Sequence, residues 1–322
     1  MTLSVIFVGT SSSATVGRNL FQKLREKKLL MKLIIYLLVI FIPSTVMSQS
    51  ITGSIKDSIT NEKLQLANMT FTMGFSGTNS NLNGDYSLNL KGHLKDSIKV
   101  SYVGYKSKYI KLNQFIENKI YNLDIYLSPQ ENKLEEVIIA QNKLNYNKKY
   151  VLSEEKEGNV NSFYLIGQEI AYLVKNEKQE LGRIKSIKLY FRNNTSANFV
   201  AKYRIKIYSY NKTENIPDEN LLNEDIIISP KNKTYQYVLD LKDKKIPFLE
   251  DGVCIGLELV DENNTSKKGD KIGPGLRLTY GEENEQTWNN YRNRGWYMPH
   301  NRDRTRTKIA NLMVSMTVLM KD

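Results

Sequence analysis

Two histidines, one cysteine and two tryptophans are the scarcest reactive or ligand-stacking residues in this chain of 322 residues. His93 stands in the turn "LKGHLKD", and His300 follows "WYMP" in a long polar stretch. A zinc centre needs clustered His, Cys or carboxylate ligands at workable spacing. The two histidines are far apart, so neither a metal nor another cofactor is expected. A serine triad needs a histidine base beside a nucleophile and an acid. His300 has Asp303 nearby, but no G-x-S-x-G elbow exists. Cys254 lies inside the apolar "DGVCIGLELV", where cysteine acts as a small hydrophobe, and a single thiol excludes an intramolecular disulfide. Glycoside hydrolysis asks only for two carboxylates across a cleft, and "YGEENEQTWNNY" gathers Glu282, Glu283 and Glu285 near Trp288. Loop acids are ordinarily solvated. The expectation is a protein that is not an enzyme and has no catalytic residue, with a carbohydrate-active enzyme using these carboxylates as the alternative.

The densest constellation is "TWNNYRNRGWYMPHNRDRTRTK", which holds both tryptophans. Trp288, Tyr291, Arg292, Arg294, Trp296 and Tyr297 form the candidate ligand-binding set. Aromatic rings at the loop end of a sandwich stack on sugar faces, and arginines hold acidic groups, so the set suits an anionic glycan. The competing reading has the tryptophans capping a core, with Arg302, Arg304 and Arg306 on an exposed strand face. The same residue types stack single-stranded nucleic acid, but the export signal described below argues against a nucleic-acid partner.

What must position these residues is β-structure. From Ile51 to Leu127 the pattern has period two, with strands expected at "SITGSIKD", "ANMTFT", "GDYSLNL", "DSIKVSYV", "KSKYIKL" and "IYNLDIYL". In "GDYSLNL", Tyr86, Leu88 and Leu90 point one way and Ser87 and Asn89 the other. Short strands with one apolar face bury it against a second sheet, which makes a sandwich. Further strands are expected at "RIKSIKLYF", "FVAKYRIKIYSY", "TYQYVLDL", "GVCIGLELV", "GLRLTY" and "ANLMVSMTVLM". "NSFYLIGQEIAYLV" fits a helical turn or a strand equally.

Four ordered motifs carry a family resemblance: the G-x-I-x-D opening at Gly53, Ile55 and Asp57, the "NGDY" turn, "SYVGY", and "LEEVI" after the last strand. Over roughly Ser50 to Ala140 the chain closely resembles the carboxypeptidase-regulatory-like domain, which implies a transthyretin-like seven-stranded sandwich without an active site. Lys63 stands where that family often has proline. The resemblance also raises the outer-membrane receptors in which this module precedes a barrel, but some 180 residues after Ala140 are too few for one.

The segment "KLREKKLLMKLIIYLLVIFIPSTVMSQS" has the cations, the apolar run from Leu33 to Ile42 and the small residues of a secretory signal, with Met31 as the expected start. No span is expected in the mature chain. The formal charge of +12 falls on cleavage: up to Ser48 there are six Lys/Arg and one acid, leaving 40 basic against 33 acidic residues. An excess of that size does not call for a polyanion. The organisation expected is an extension and signal over 1–48, a regulatory-like domain over 49–128, a linker over 129–158 and a second sandwich, jelly-roll or galactose-binding-like, over 159–322. The fold class is all-β. The function expected is that of an exported protein of the periplasm or outer membrane, a binding or scaffold module with a glycan or envelope-protein partner. The third alternative is a structural subunit of an outer-membrane assembly.

Overall fold

A computed structural model describes residues 25, 27–32, 49–74, 76–116, 119–130, 146–153, 160–161, 165–267, 269–282, 284–292, 294–300 and 307–321. Residues 27–32 are helical and belong to a unit separate from Ser48–Asp322. The apolar run Leu33–Ile42 and the stretch "EEVIIA" lie outside the described residues.

The first module contains strands β1 (Ser50–Asp57), β2 (Asn68–Phe71), β3 (Gly77–Asn79), β4 (Asp85–Asn89), β5 (Ser97–Ser101), β6 (Lys108–Lys111), β7 (Ile120–Asn122) and β8 (Ile125–Leu127). One sheet runs β4-β1-β7, with β8 continuing along β1; the other runs β3-β2-β5-β6. The seven strands expected become eight segments because the last partner of β1 is interrupted at Leu123 and Asp124. There the chain crosses close to Gly53, where a Cβ would lie 2.1 Å from the Leu123 carbonyl oxygen. That oxygen already accepts the Tyr86 hydroxyl at 2.6 Å. Gly53→Ala is therefore expected to cost about 1–3 kcal/mol by overpacking, measured as a lowered urea midpoint. Unchanged stability would show that the backbones part freely here.

Each motif of the regulatory-like pattern has a local cause. Asp57 closes its turn by accepting the amides of Ile59 and Thr60 at 2.6 and 3.1 Å, and it accepts the Tyr105 hydroxyl at 2.6 Å. The opening strand is thereby tied to the "SYVGY" segment. In the "NGDY" turn Asn81 Oδ1 accepts the Asn83 and Asp85 amides, and Gly84 takes φ +73°, a conformation that favours glycine. Lys63, the departure from the family pattern, pairs with Asp85 at 2.6 Å. Ile51, Ile55, Tyr86, Leu88, Leu90 and Val100 meet in the core, as the alternation requires.

The second module comprises β9 (Tyr146–Ser153), β10 (Val160–Asn161), β11 (Gln168–Val174), β12 (Gly182–Arg192), β13 (Phe199–Val200), β14 (Lys202–Asn211), β15 (Ile216–Asn220) and β16 (Ile226–Ile228). It continues through β17 (Tyr235–Asp240), β18 (Pro247–Phe248), β19 (Val253–Val260), β20 (Ile272–Gly273), β21 (Gly275–Glu282), β22 (Thr287–Tyr291), β23 (Ile309–Leu312) and β24 (Val314–Lys321). One sheet has the order β10-β21-β12-β24-β9 and the other β15-β14-β19-β11-β22. Between them lie Ile184, Ile187, Leu189 and Phe191 of β12, facing Ile205, Ile207, Ile255 and Leu257 of β14 and β19. The architecture is two β-sandwiches.

Three segments depart from the sequence reading. The linker expected over 129–158 contains β9, which pairs antiparallel with β24; its apolar pair Tyr150 and Leu152 packs on the second core. The ambiguous segment around "GQEIAYLV" is strand β11, paired on both sides. "TWNNY", taken as part of a loop, is edge strand β22. Residues 48–322 form one compact unit rather than two units joined by a tether.

Candidate functional site: the seam between the sandwiches

Several strands at the junction are buried on both faces, and their alternate residues explain why. In β2, Met69 and Phe71 enter the first core, while Asn68 and Thr70 face the second module. In β14, Tyr203, Ile205 and Ile207 enter the second core, while Arg204, Lys206 and Tyr208 emerge on the outer face. Pairing with β19 and β11 sets Arg204 opposite Glu258, and Glu258 opposite Glu169. Two carboxylates therefore lie side by side on a surface covered by another module.

Such charges are tolerated in a low-dielectric seam only when paired and hydrogen-bonded. Lys206 Nζ lies 2.9 Å from Glu169 Oε2 and 3.1 Å from Glu258 Oε2. Arg204 reaches Glu258 at 3.0 Å through one terminal nitrogen and forks onto Asp225 at 2.7 and 3.1 Å. The first module completes the set: Asn68 Nδ2 donates to Glu258 Oε1 at 2.7 Å, and the Leu66 carbonyl accepts from Arg204 at 2.7 Å. Tyr208 donates to Glu169 Oε1 at 2.8 Å. Gly256 leaves the space beneath, since a Cβ there would meet Glu169 Oε1 at 2.6 Å.

The surroundings push the two carboxyls in opposite directions. Burial raises the Glu169 value above the ordinary carboxylate range, with Lys206 opposing and Glu258 adding to the rise. Burial acts the same way on Glu258, but Lys206, Arg204 and the Asn68 amide outweigh it and hold that carboxyl low. Glu258 has the two cations, whereas Glu169 shares only Lys206.

A second fastening involves the predicted ligand set. Arg292 is buried, and its stem passes between glycines of both modules: a Cβ on Gly167 would meet its Cγ at 2.5 Å, and one on Gly77 its Cδ at 3.1 Å. Its guanidinium donates to Thr78 O at 2.7 Å, to Asn68 Oδ1 at 3.3 Å and to Asn79 Oδ1. Arg294 donates to the carbonyls of Thr72, at 2.8 Å, and Gly74. Trp288 is buried against Ala171, Leu173 and Cys254 and donates to Asn215 O at 3.0 Å. Trp296 packs edge-on against Tyr208 at 5.3 Å, and Tyr291 is buried. Tyr297 is exposed, with its backbone paired to Asn289. This differs from a ligand face at a loop end. The arginines are occupied by oxygens of the first module, and the tryptophans pack against neighbouring side chains. The reason is that β22 is buried along its whole length and the residues after it lie against the first module.

The remaining chemistry-bearing residues are placed as follows. Cys254 is buried, and burial pushes its thiol up. His93 stacks on Phe71 at 3.8 Å, and exposed His300 lies 2.9 Å from Glu285 Oε2. Glu283, Arg302, Asp303, Arg304 and Arg306 lie outside the described residues, as does the Glu282 side chain. Among the described residues no group of three His, Cys, Asp or Glu is placed to hold a metal ion.

Beside the ion network the seam opens into a cleft of about 410 Å³. The first module contributes the whole "SYVGY" segment, Ser101 to Tyr105, and the second contributes Arg204, Lys206 and Tyr208 with Asp218 and Glu219. Tyr102 and Tyr105 face each other at 5.4 Å between ring centroids, and Tyr102 lies over the Arg204 guanidinium at 6.0 Å. Sequence reasoning placed "SYVGY" only as a strand end. The detectable signal was two tyrosines flanking a Val-Gly pair; both rings are partly buried against the first core.

Residues 51–139 match the CarboxypepD_reg-like domain family, so the first module is a carboxypeptidase-regulatory-like domain. No protein of curated function matches the chain. Among solved structures, the cysteine protease and lectin-like domains of Cwp84, a surface layer associated protein of Clostridium difficile, align at 8% identity with a TM-score of 0.32. That alignment spans 80% of this chain and 59% of the other. A candidate carbohydrate binding protein from Bacteroides uniformis aligns at 13% identity and TM-score 0.22, over 71% of this chain and 95% of that one. A candidate membrane-associated protein of unknown function from Bacteroides fragilis aligns at 9% identity and TM-score 0.21, over 85% and 98%. Likenesses this distant bear on neither ligand nor activity.

Proposed function

We propose that the chain is an exported, non-enzymatic binding protein of the cell envelope, in which the regulatory-like domain and the second sandwich together form one ligand site. The observation that carries this reading is the cleft at their seam, walled from both modules and floored by cations already neutralised from behind. Catalysis by general acid and base needs a titratable pair within reach of substrate. Glu169 and Glu258 are instead held beneath Lys206 and Arg204, and Glu258 also accepts from Asn68 of the first module. The sequence supports export through its cationic, then apolar, leader. Among the described residues no helix is long and apolar enough to cross a membrane. The ligand class proposed is a glycan.

The test combines a glycan array with assays of polysaccharide hydrolysis on the full mature chain. Retention of glycans without turnover is expected. Hydrolysis abolished by Glu169→Gln or Glu285→Gln would establish an enzyme instead.

A further inference from the structure

The charges that line the seam cleft define its ligand more narrowly. We infer that the cleft takes an uncharged, polyhydroxylated ligand, a neutral mono- or disaccharide unit, and discriminates against acidic sugars. This rests on the glycan reading above and specifies its site.

Four charged side chains line the cleft: Arg204 and Lys206 in its floor, and Asp218 and Glu219, exposed, at its rim. With Asp225, Glu258 and Glu169 behind the floor, five carboxyl groups surround two cations, so the cleft is acidic. The floor cations are not free to attract an acid, because Asp225, Glu258 and Glu169 already neutralise them from the side away from the cleft. A carboxylate entering here would lose its water and meet no unmatched cation. Lys206 uses two of its three N–H groups on Glu169 and Glu258 and keeps one; the rim carboxylates supply acceptors. Only a group that both donates and accepts satisfies the two sets, and a hydroxyl does so. The rings of Tyr102 and Tyr105 offer apolar faces between these polar positions, as sugar C–H faces require. The volume of about 410 Å³ falls at the small end of ligand pockets, which limits the occupant to one or two rings.

The experiment is a calorimetric or NMR titration of the full mature chain with maltose, lactose and N,N′-diacetylchitobiose, against digalacturonic acid. Ser107→Trp fills the cleft from an exposed wall position, and Glu219→Gln removes one rim charge without changing shape. At least one neutral sugar is expected to bind, weakened about tenfold or more by Ser107→Trp. Glu219→Gln, which turns a rim carboxylate acceptor into an amide, is expected to weaken neutral-sugar binding about two- to threefold and to improve digalacturonic acid binding slightly. Tighter binding of the acidic sugar than of every neutral one overturns the inference. So does neutral-sugar binding that Ser107→Trp leaves unchanged, an outcome in which the broader glycan reading survives at another site. Absence of binding to every glycan, here and on an array, overturns the glycan reading itself.

Discussion

Replacing Lys206 with methionine is expected to lower the stability of the folded chain by about 3–5 kcal/mol at neutral pH, the usual cost of stripping one partner from a buried ion network. Methionine fills a similar volume, so the loss isolates charge from packing. Without the ammonium, Glu169 and Glu258, opposite each other in register on β11 and β19, face one another with one cation fewer. The pH dependence follows from the two directions of shift. Glu258 titrates below its unfolded value, so the stability it contributes is present above about pH 4.3 and is lost as pH falls through its folded value. Glu169 titrates above its unfolded value, so it carries no penalty below that value and lowers stability as pH rises through its folded one. In Lys206→Met the rise at Glu169 grows, so the deficit should be largest at neutral pH and shrink toward about pH 5.

Adding Glu169→Gln to that variant should recover a large part of the loss. Glutamine keeps an acceptor for the Tyr208 hydroxyl and brings no charge. Thermal and urea denaturation across pH measure both effects, each kcal/mol shifting the melting temperature by about 2–4 °C at this size. A loss that does not vary with pH would show that the carboxylates are hydrated and that the seam does not exclude water.

Arg292→Ala is expected to cost a comparable amount, about 3–5 kcal/mol, through a different route. It leaves Thr78 O, Asn68 Oδ1 and Asn79 Oδ1 without their shared donor and empties the passage between Gly77 and Gly167. Asn79 also donates to Asp261 O at 3.2 Å and accepts from Asn264 at 2.9 Å, so loosening it reaches the 261–264 loop. Lysine should not rescue the variant, because the three oxygens gather at Nη1 while Nε donates to the Tyr291 hydroxyl at 3.2 Å, and one ammonium cannot occupy both positions. Arg294→Ala, at an exposed position, should cost less than about 1 kcal/mol. The distinguishing readout is cooperativity. Undocked modules melt in two transitions by calorimetry and give a larger radius of gyration by X-ray scattering. A single, merely shifted transition with unchanged dimensions would show that the seam is held elsewhere.

Most strands of the first module were legible because one face of each is wet and the other dry. Tyr86, Leu88 and Leu90 against Ser87 and Asn89 is a pattern that backbone geometry alone converts into a sheet with a buried side. The continuous apolar run of "DGVCIGLELV" made Cys254 a buried residue in advance. The wet-and-dry logic failed at "TWNNY", where every residue of β22 is buried and no alternation exists to read. It also failed at "YNKKYVLS", where β9 pairs at the margin of a sheet with polar residues outward.

The candidate site divides along the same line. The sequence by itself determined two sandwiches, their boundaries to within a few residues for most strands, the regulatory-like identity of the first, and the scarcity of residues suited to metal or nucleophilic chemistry. Only the tertiary structure decided that Arg204, Lys206, Glu169 and Glu258 meet under Asn68, and that Arg292 fastens one module to the other. In sequence these charges look like the wet face of ordinary strands; a second module lying on that face is a long-range event, and alternation records which side a residue takes but not what covers it.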